Sequence, residues 1–282
     1  MTGPATQAES GGTEQEAVLR TQRPILGDGQ PGRLVTILAL NRPDRLNAVS
    51  IPMYERLISE LQIADNDPNV RAVIVTGGGG AFCVGADLKS HDEGAPTGAE
   101  RARYVSVAQV TNRAMQTMGT PVLAAVNGHA IGAGMELALS ADVAIVADDA
   151  KMRLPEIALG TFVGGGAVYT LAERVGTVRA RELIYLGGFF SGADAAEMGV
   201  VNRAVPAAEV LKVTDEWADR LAAVAPRSFA KAKQMIGPAG ARSREEAMAM
   251  EEKALVEIFG TKDWEEGVRA FHEKRAPRYT GE

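Results

Sequence analysis

The sequence has few of the residues that build disulfides and metal sites. Its 282 residues include one cysteine, Cys83, and three scattered histidines, His91, His129 and His272. A single thiol cannot form a disulfide framework, so the sequence predicts a reducing compartment and a cytoplasmic location. The histidines do not have the spacing of metal ligands, and we expect no metal site.

Long apolar runs and an excess of positive charge are also missing. No run approaches the roughly 18 residues of a spanning helix, and residues 1–30 lack the apolar centre of a signal peptide. The formal net charge of −6 disfavours nucleic acid or an anionic membrane as a partner, although a local basic site for one phosphate group stays possible. With 46% hydrophobic residues, the chain can bury one large core with a helical appendage.

The pattern of apolar runs predicts an α/β core followed by helices. Residues 1–15 are small and polar and predict a disordered tail. Strands are predicted at 34–40, 71–76, 121–126, 142–147 and 200–205. Helices are predicted after a Ser50 cap, at 101–118 with Val105, Ala108, Met115 and Met118 as its apolar stripe, and at 165–175, 178–186, 206–224, 227–236, 243–258 and 262–274. The domain boundaries follow: a tail at 1–15, a core at 16–205 and a helical region at 206–282.

The stretch 121–166 brings two glutamates towards one place. A buried strand ends at a glycine turn in which Gly132 and Gly134 bracket Ala133, and a helix begins there. Such small residues let a backbone N–H approach a ligand where the first turn of a helix has unpartnered N–H groups. The turn is therefore a seat for a negatively charged oxygen, with Glu136 beside it. Glu156 follows a second apolar run and a proline turn.

A second glycine loop, 77–89, follows the strand at 71–76. Two such loops side by side would present the N–H groups of Ala86 and Ala133 to one carbonyl oxygen. A thioester polarised in this way has an acidic α-carbon and an electrophilic β-carbon, and nearby glutamates could move protons. One carboxylate suffices to shift a double bond, whereas two can handle both a water and an α-proton.

Three strings carry a family resemblance: AFCVGADL (81–88), NGHAIGAGMELALSAD (127–142) and LPEIALGTFVGGG (154–166). In this order and spacing the chain resembles the enoyl-CoA hydratase/isomerase, or crotonase, superfamily over about 32–281. The resemblance implies a spiral α/β core of repeated ββα units and a C-terminal helical region used in trimerisation. It also implies an oxyanion hole from Ala86 and Ala133, with Glu136 activating water and Glu156 exchanging the α-proton.

The resemblance further suggests how coenzyme A, as part of the substrate, is held. Arg45 and Lys89 are candidates for its phosphates, and Phe271 and Lys274 for reaching a neighbouring subunit's site. The remaining substrate-binding candidates are Ala48, Asp87, Leu88, Gly132 and Gly164. We expect an acyl-CoA partner, no separate cofactor, a homotrimer or a homohexamer, and a role in fatty acid metabolism.

Departures from the family pattern cluster around the acyl pocket. Ala133 stands where glycine is frequent, Leu154 replaces a common glutamine and Val163 replaces the usual proline, while 168–170 reads VYT where Thr-Gln-Arg is frequent. These changes leave the length and shape of the acyl chain open.

Alternatives to the hydratase hypothesis remain at this level. The same scaffold could carry a double-bond isomerase or a non-catalytic acyl-CoA-binding protein. Glu136 could be a solvated partner of the helix dipole, Asp87 a loop brace, Cys83 a packed thiol, and Gly77 to Gly80 a flexible connector. A P-loop or dinucleotide site is disfavoured, because neither glycine pattern occurs in its strand-to-helix setting.

Overall fold

A computed structural model describes residues 17–26, 32–87, 97–236 and 243–282. The predicted tail at 1–15, and the candidate residues Leu88 and Lys89, lie outside the described residues. The described strands are β1 (Val18–Pro24), β2 (Leu34–Leu40), β3 (Val70–Gly77), β4 (Ala81–Cys83), β5 (Val122–Val126), β6 (His129–Ile131), β7 (Val143–Ala147), β8 (Lys151–Arg153), β9 (Phe190–Ser191) and β10 (Arg203–Val205).

The strands form two sheets. The larger has the order β1-β2-β3-β5-β7-β10, and the smaller has the order β4-β6-β8-β9. In the larger sheet only the β1–β2 pair is antiparallel, and in the smaller sheet only the β8–β9 pair. Strands β3 and β5 are buried along their whole length, which explains their continuous apolar sequences.

The α-helices in the described residues are α1 (Ile51–Asn66), α2 (Gly98–Thr117), α3 (Ala133–Ser140), α4 (Ala167–Leu186), α5 (Gly192–Glu197), α6 (Val210–Ala222), α7 (Pro226–Ile236), α8 (Arg244–Phe259) and α9 (Lys262–Glu273). Ser50 caps α1 as predicted, because its hydroxyl accepts from the amide of Met53 at 3.4 Å. Gly176, with a non-helical φ of 74° and ψ of 161°, divides α4 into two helical segments, in agreement with the two helices predicted here.

The repeating unit is strand, strand, helix. From β3 to β8 consecutive strands alternate between the two sheets, so β3 and β4, β5 and β6, and β7 and β8 each contribute one strand to each sheet. Helices α2, α3 and α4 follow these three pairs in turn. This arrangement confirms the predicted α/β spiral core of ββα units. Side chains of α6, including Val210 and Val213, join the same hydrophobic core.

Two kinds of sequence expectation differ from the structure. Strand β1, the short strands β4, β6, β8 and β9 and the short helix α5 were not predicted. Val105, placed by periodicity on the apolar stripe of α2, is 55% exposed, whereas Ala108 and Met115 of that stripe are buried. The predicted apolar stripe is buried only in the part of α2 that packs on the core. Within the described ranges, no helix combines the length and hydropathy needed to cross a bilayer.

Candidate functional site

The start of α3 is built by glycines. Gly132 precedes the helix with φ 54° and ψ −118°, a conformation that L side chains rarely adopt. A Cβ on Gly134 would lie 2.0 Å from the carbonyl oxygen of Cys83, so only glycine lets α3 pack this closely on β4. The helix is buried along its whole length. Its first turn therefore delivers Glu136 into the interior of the protein.

The carboxylate of Glu136 is buried and is held by a backbone amide. Glu136 is only 6% exposed, and the N–H of Gly164 donates to its Oε1 at 2.6 Å. Burial raises the pKa of Glu136 to about 7, the Gly164 hydrogen bond opposes this rise, and the charge of Glu156 adds to it. Glu136 can therefore change its protonation state near neutral pH.

Glu156 lies against the same glycine turn. It precedes a short 3-10 helix, Ile157–Leu159, and its Oε1 lies 2.7 Å from the position that a Cβ on Gly132 would occupy. Its Oε2 is buried without a hydrogen-bond partner among the described residues. Burial raises the pKa of Glu156, and the positive charge of Arg153 works against that rise.

The two loops that carry the predicted amide donors lie side by side. A Cβ on Gly85, which has φ 105°, would be 3.9 Å from the amide nitrogen of Ala133. Val49 binds the peptides on both sides of Ala86, by donating to the Gly85 carbonyl at 2.8 Å and accepting from the Asp87 amide at 3.0 Å. This pairing engages neither backbone group of Ala86 itself. The amide of Ala133 stands at the first position of α3, where helix geometry supplies no partner.

The loop of Ala86 is braced by an ion pair. Arg42 donates to Asp87 Oδ2 at 2.7 Å and to the carbonyl oxygen of Ala48 at 2.7 Å. Ala48 is itself buried. Asp87 therefore has the bracing contact that the sequence suggested as an alternative to substrate binding.

The other predicted substrate-binding residues do not all meet at the two carboxylates. Gly132 and Gly164 contact them directly. Arg45 is exposed, with its Nε 3.9 Å from Asp44, while Phe271 and Lys274 are exposed at the end of α9. In the single chain these last residues are surface side chains.

The glycines from Gly77 to Gly80 are anchored rather than loosely connected. The side-chain amide of Asn127 donates to the carbonyl oxygens of Gly77 and Gly79, both at 2.9 Å, and that of Asn47 donates to the Gly78 carbonyl at 2.9 Å. The flexible-connector interpretation was therefore wrong.

Several side chains at the site were missed by sequence reasoning. The guanidinium of Arg153 lies over the ring of Phe189, 4.2 Å from its centroid, and Tyr54 packs edge to face on Tyr104. Burial raises the pKa of both tyrosines, and the charge of Glu136 adds to it. Each of these pairs joins residues from different parts of the chain, and the short-range sequence pattern holds no signal for such contacts.

Behind Glu136 lies a polar network that was also missed. It consists of Asn112 and Gln116 on α2 and Ser140 on α3. Asn112 and Gln116 are four residues apart, so they share one face of α2 with the buried Met115 beside them. Two uncharged polar residues at helical spacing within an apolar stripe were the available signal.

Known proteins resemble this chain over most of its length. The family model described as enoyl-CoA hydratase/isomerase matches residues 32–282. The probable enoyl-CoA hydratase echA8 of Mycobacterium bovis is 35% identical over 246 residues, which cover 87% of this chain and 94% of that protein. The mitochondrial enoyl-CoA hydratase of Pongo abelii is 31% identical to this chain, and the match covers 87% of this chain and 83% of that protein. The crystal structure of an enoyl-CoA hydratase from Bacillus anthracis superposes with a TM-score of 0.84 at 33% identity, covering 93% of this chain and 99% of that one.

Proposed function

Because the chain belongs to the enoyl-CoA hydratase/isomerase family, we propose that it adds water across the 2,3 double bond of an α,β-unsaturated acyl-CoA. The observation that carries this proposal is the pair of buried carboxylates, Glu136 in the first turn of α3 and Glu156 against the Gly132 that precedes it. Family membership alone would also fit a double-bond isomerase. A second acid at the same turn favours hydration, because that reaction must handle both a water and an α-proton.

The burial of the two acids supports their opposite protonation states. Each carboxyl has a raised pKa, and the charge of Glu156 raises the pKa of Glu136. Two interacting acids of this kind favour a state in which one carries a proton and the other does not. In the proposed resting state Glu136 is ionised and accepts from the Gly164 amide, while Glu156 is protonated, because its buried Oε2 has no hydrogen-bond partner among the described residues.

The proposed reaction follows from these states. The thioester oxygen accepts hydrogen bonds from the amides of Ala86 and Ala133, which stabilise the negative charge that develops on it. Glu136 removes a proton from water as the water oxygen bonds to C3. The electron pair of the double bond then takes the proton of Glu156 at C2. One water is consumed, Glu136 gains a proton and Glu156 loses one, and proton exchange between them and solvent restores the resting state.

The substrate is proposed to be held through its coenzyme A moiety. Arg45 and Lys89 are the candidates for its phosphates, and the addition of water is redox-neutral, so the proposal calls for no redox cofactor. The free thiol of Cys83 fits the cytoplasmic location proposed with this activity.

We also propose that the chain assembles as a homotrimer, or as a hexamer of two trimers. Exposed apolar side chains on the C-terminal helices support an interface between copies: Leu255, Val256, Phe259, Trp264 and Phe271. Light scattering after size exclusion tests this, since a trimer has three times the 29.7 kDa mass of the chain. A monomeric mass would contradict the proposal.

The activity is tested by following the loss of conjugated enoyl absorbance when crotonyl-CoA and longer enoyl-CoAs are added. We expect turnover by the unmodified protein and a loss of about 10²-fold or more in kcat for both Glu136→Gln and Glu156→Gln. The exposed Glu216 provides the matched control, because Glu216→Gln is the same substitution on the surface of α6.

The same panel separates the alternatives. Conversion of a 3-enoyl-CoA to its 2-enoyl isomer without net hydration would identify an isomerase. Calorimetric binding of acyl-CoA without any product after long incubation would identify a non-catalytic binding protein. Normal turnover in both glutamine variants would overturn the proposed acid and base.

A further inference from the structure

Glu136 is held in place by groups outside its own helix, and the role that we propose for one of them rests on the proposed catalytic role of Glu136. Among the described residues, the amide of Gly164 donates the hydrogen bond that holds the carboxylate of Glu136. The position of that amide therefore sets the environment of the carboxylate. The segment around Gly164 has no regular secondary structure, so something outside it must fix its position.

The glycine segment, residues 164–166, packs directly on Glu136 and Asn112. Gly165 and Gly166 adopt φ values of 62° and 75°. A Cβ on Gly165 would lie 3.0 Å from the side chains of both Asn112 and Glu136. Two consecutive glycines in the left-handed region have little intrinsic preference for one backbone conformation, so contacts from neighbouring elements must hold the segment in place.

Gln116 supplies that contact. Its Nε2 donates to the carbonyl oxygen of Gly165 at 2.9 Å and to the hydroxyl of Ser140 at 3.2 Å. These two bonds use both protons of the side-chain amide. Gln116 is thereby tied at once to the glycine segment and to the last residue of α3.

Ser140 links the other side of the network to Glu136. Its hydroxyl lies 2.8 Å from the carbonyl oxygen of Glu136 and 2.9 Å from Oδ1 of Asn112. Asn112 in turn donates to the Ala108 carbonyl at 3.0 Å. Asn112 and Ser140 are almost completely buried, so bulk water cannot replace these hydrogen bonds if they are lost.

We propose that Gln116 is a positioning residue for Glu136. By holding both the segment that carries the Gly164 donor and the helix that carries the Glu136 acceptor, it fixes the hydrogen bond between them. It does not touch the reacting atoms. Its effect is to keep Glu136 ionised and correctly oriented in a buried pocket that would otherwise favour the neutral acid.

The experiment replaces Gln116 with methionine, which has similar length but donates no hydrogen bond. We expect kcat to fall about tenfold with KM within about twofold, because substrate binding does not involve the network. The pH at which activity reaches half its maximum on the acid side should rise, since Glu136 loses part of its ionised-state donor. Thr117→Ala is the matched control: Thr117 is the next residue of α2, and its hydroxyl makes a hydrogen bond of the same kind, to Arg113, at an exposed position.

A second readout does not depend on activity. Carbon-13 labelling of glutamate side chains, with Glu136→Gln to assign the resonance, reports the titration midpoint of Glu136 itself. The neighbouring groups that influence it electrostatically are Glu156, Tyr54, Tyr104 and Cys83. Within the described structure none of them is a hydrogen-bond partner of Gln116, so a higher midpoint in the variant would report the loss of positioning.

The outcomes separate this inference from the proposed function. If no enoyl-CoA is hydrated by the unmodified protein, the proposed function fails, while the resonance still shows whether Gln116 positions Glu136. If Gln116→Met does not fold, Ser140→Ala removes one anchor of Gln116 and should move the midpoint in the same direction. An unchanged midpoint, with kcat within twofold of Thr117→Ala, would overturn the inference.

Discussion

The carboxylate of Glu156 occupies the space that a side chain on Gly132 would need. A Cβ at position 132 would lie 2.7 Å from Oε1 of Glu156, and the backbone there has φ 54°. We predict that Gly132→Ala lowers hydratase kcat by about 10²-fold, because displacing the acid misplaces the proton donor at C2. Steady-state kinetics on crotonyl-CoA measure the effect.

Backbone strain alone could also harm the Gly132 variant, and a second glycine isolates that contribution. Gly176 has φ 74°, and a Cβ there would meet nothing within 4 Å. Gly176→Ala therefore carries the strain without the collision, and it should reduce stability while keeping kcat. Equal losses of kcat in the two variants would show that the contact with Glu156 is unimportant.

The pH dependence of activity should report the two acids. Glu136 must be ionised to accept a proton from water, and its pKa of about 7 predicts that kcat falls as the pH drops through neutrality. Glu156 must be protonated, so kcat should also fall as the pH rises through the raised pKa of Glu156. The midpoints belong to the pair because the groups interact. A kcat that stays constant from pH 5 to pH 7 would contradict the role of Glu136.

The sequence predicted the elements that local pattern controls. Continuous apolar runs located β2, β3, β5 and β7, and the Ser50 cap located the start of α1. Glycine spacing located the turn before Glu136. These features depend on neighbours in the chain, so a short window of sequence contains them.

The parts that it missed depend on distant partners. Strand β6 has only three residues, and its parallel neighbours β4 and β8 come from other repeats, so no local alternation reveals it. Gln116 acquires its role from Gly165, 49 residues later in the chain. The exposure of Val105 likewise depends on where α2 leaves the core, and helical periodicity holds no information about that point.

Glu136 should also make the protein less stable at neutral pH. Its pKa is about 7 in the folded protein and 4.5 in an unfolded chain, so the folded state binds the proton more tightly and stability declines as the pH rises from 4.5 to 7. Above pH 7 this cost is about 3 kcal/mol at most, at 1.36 kcal/mol for each pKa unit. We predict that Glu136→Gln increases the free energy of unfolding at pH 8 and has much less effect at pH 5.

Urea unfolding at the two pH values measures this difference, with Glu216→Gln as the surface control. A stabilisation by Glu136→Gln that is equal at pH 5 and pH 8 would show that ionisation of Glu136 is not its source. Together with a loss of kcat, a gain in stability at pH 8 would show that the acid is kept for activity at the expense of stability.

Cys83 should be unreactive as long as α3 stays packed on β4. Burial raises the pKa of the Cys83 thiol to about 12, and the side chain is fully enclosed. A Cβ placed on Gly134 would lie 2.9 Å from the Cβ of Cys83, so α3 covers the thiol closely. Because the thiolate is the reactive form, we predict no labelling by a thiol reagent at neutral pH in the native protein and one equivalent in denaturant. Thr117→Cys in a Cys83→Ser background supplies an exposed thiol that should react at once. Rapid labelling of native Cys83 would mean that the first turn of α3 opens readily, and a helix that opens readily could not hold the Ala133 amide and Glu136 in fixed positions for catalysis.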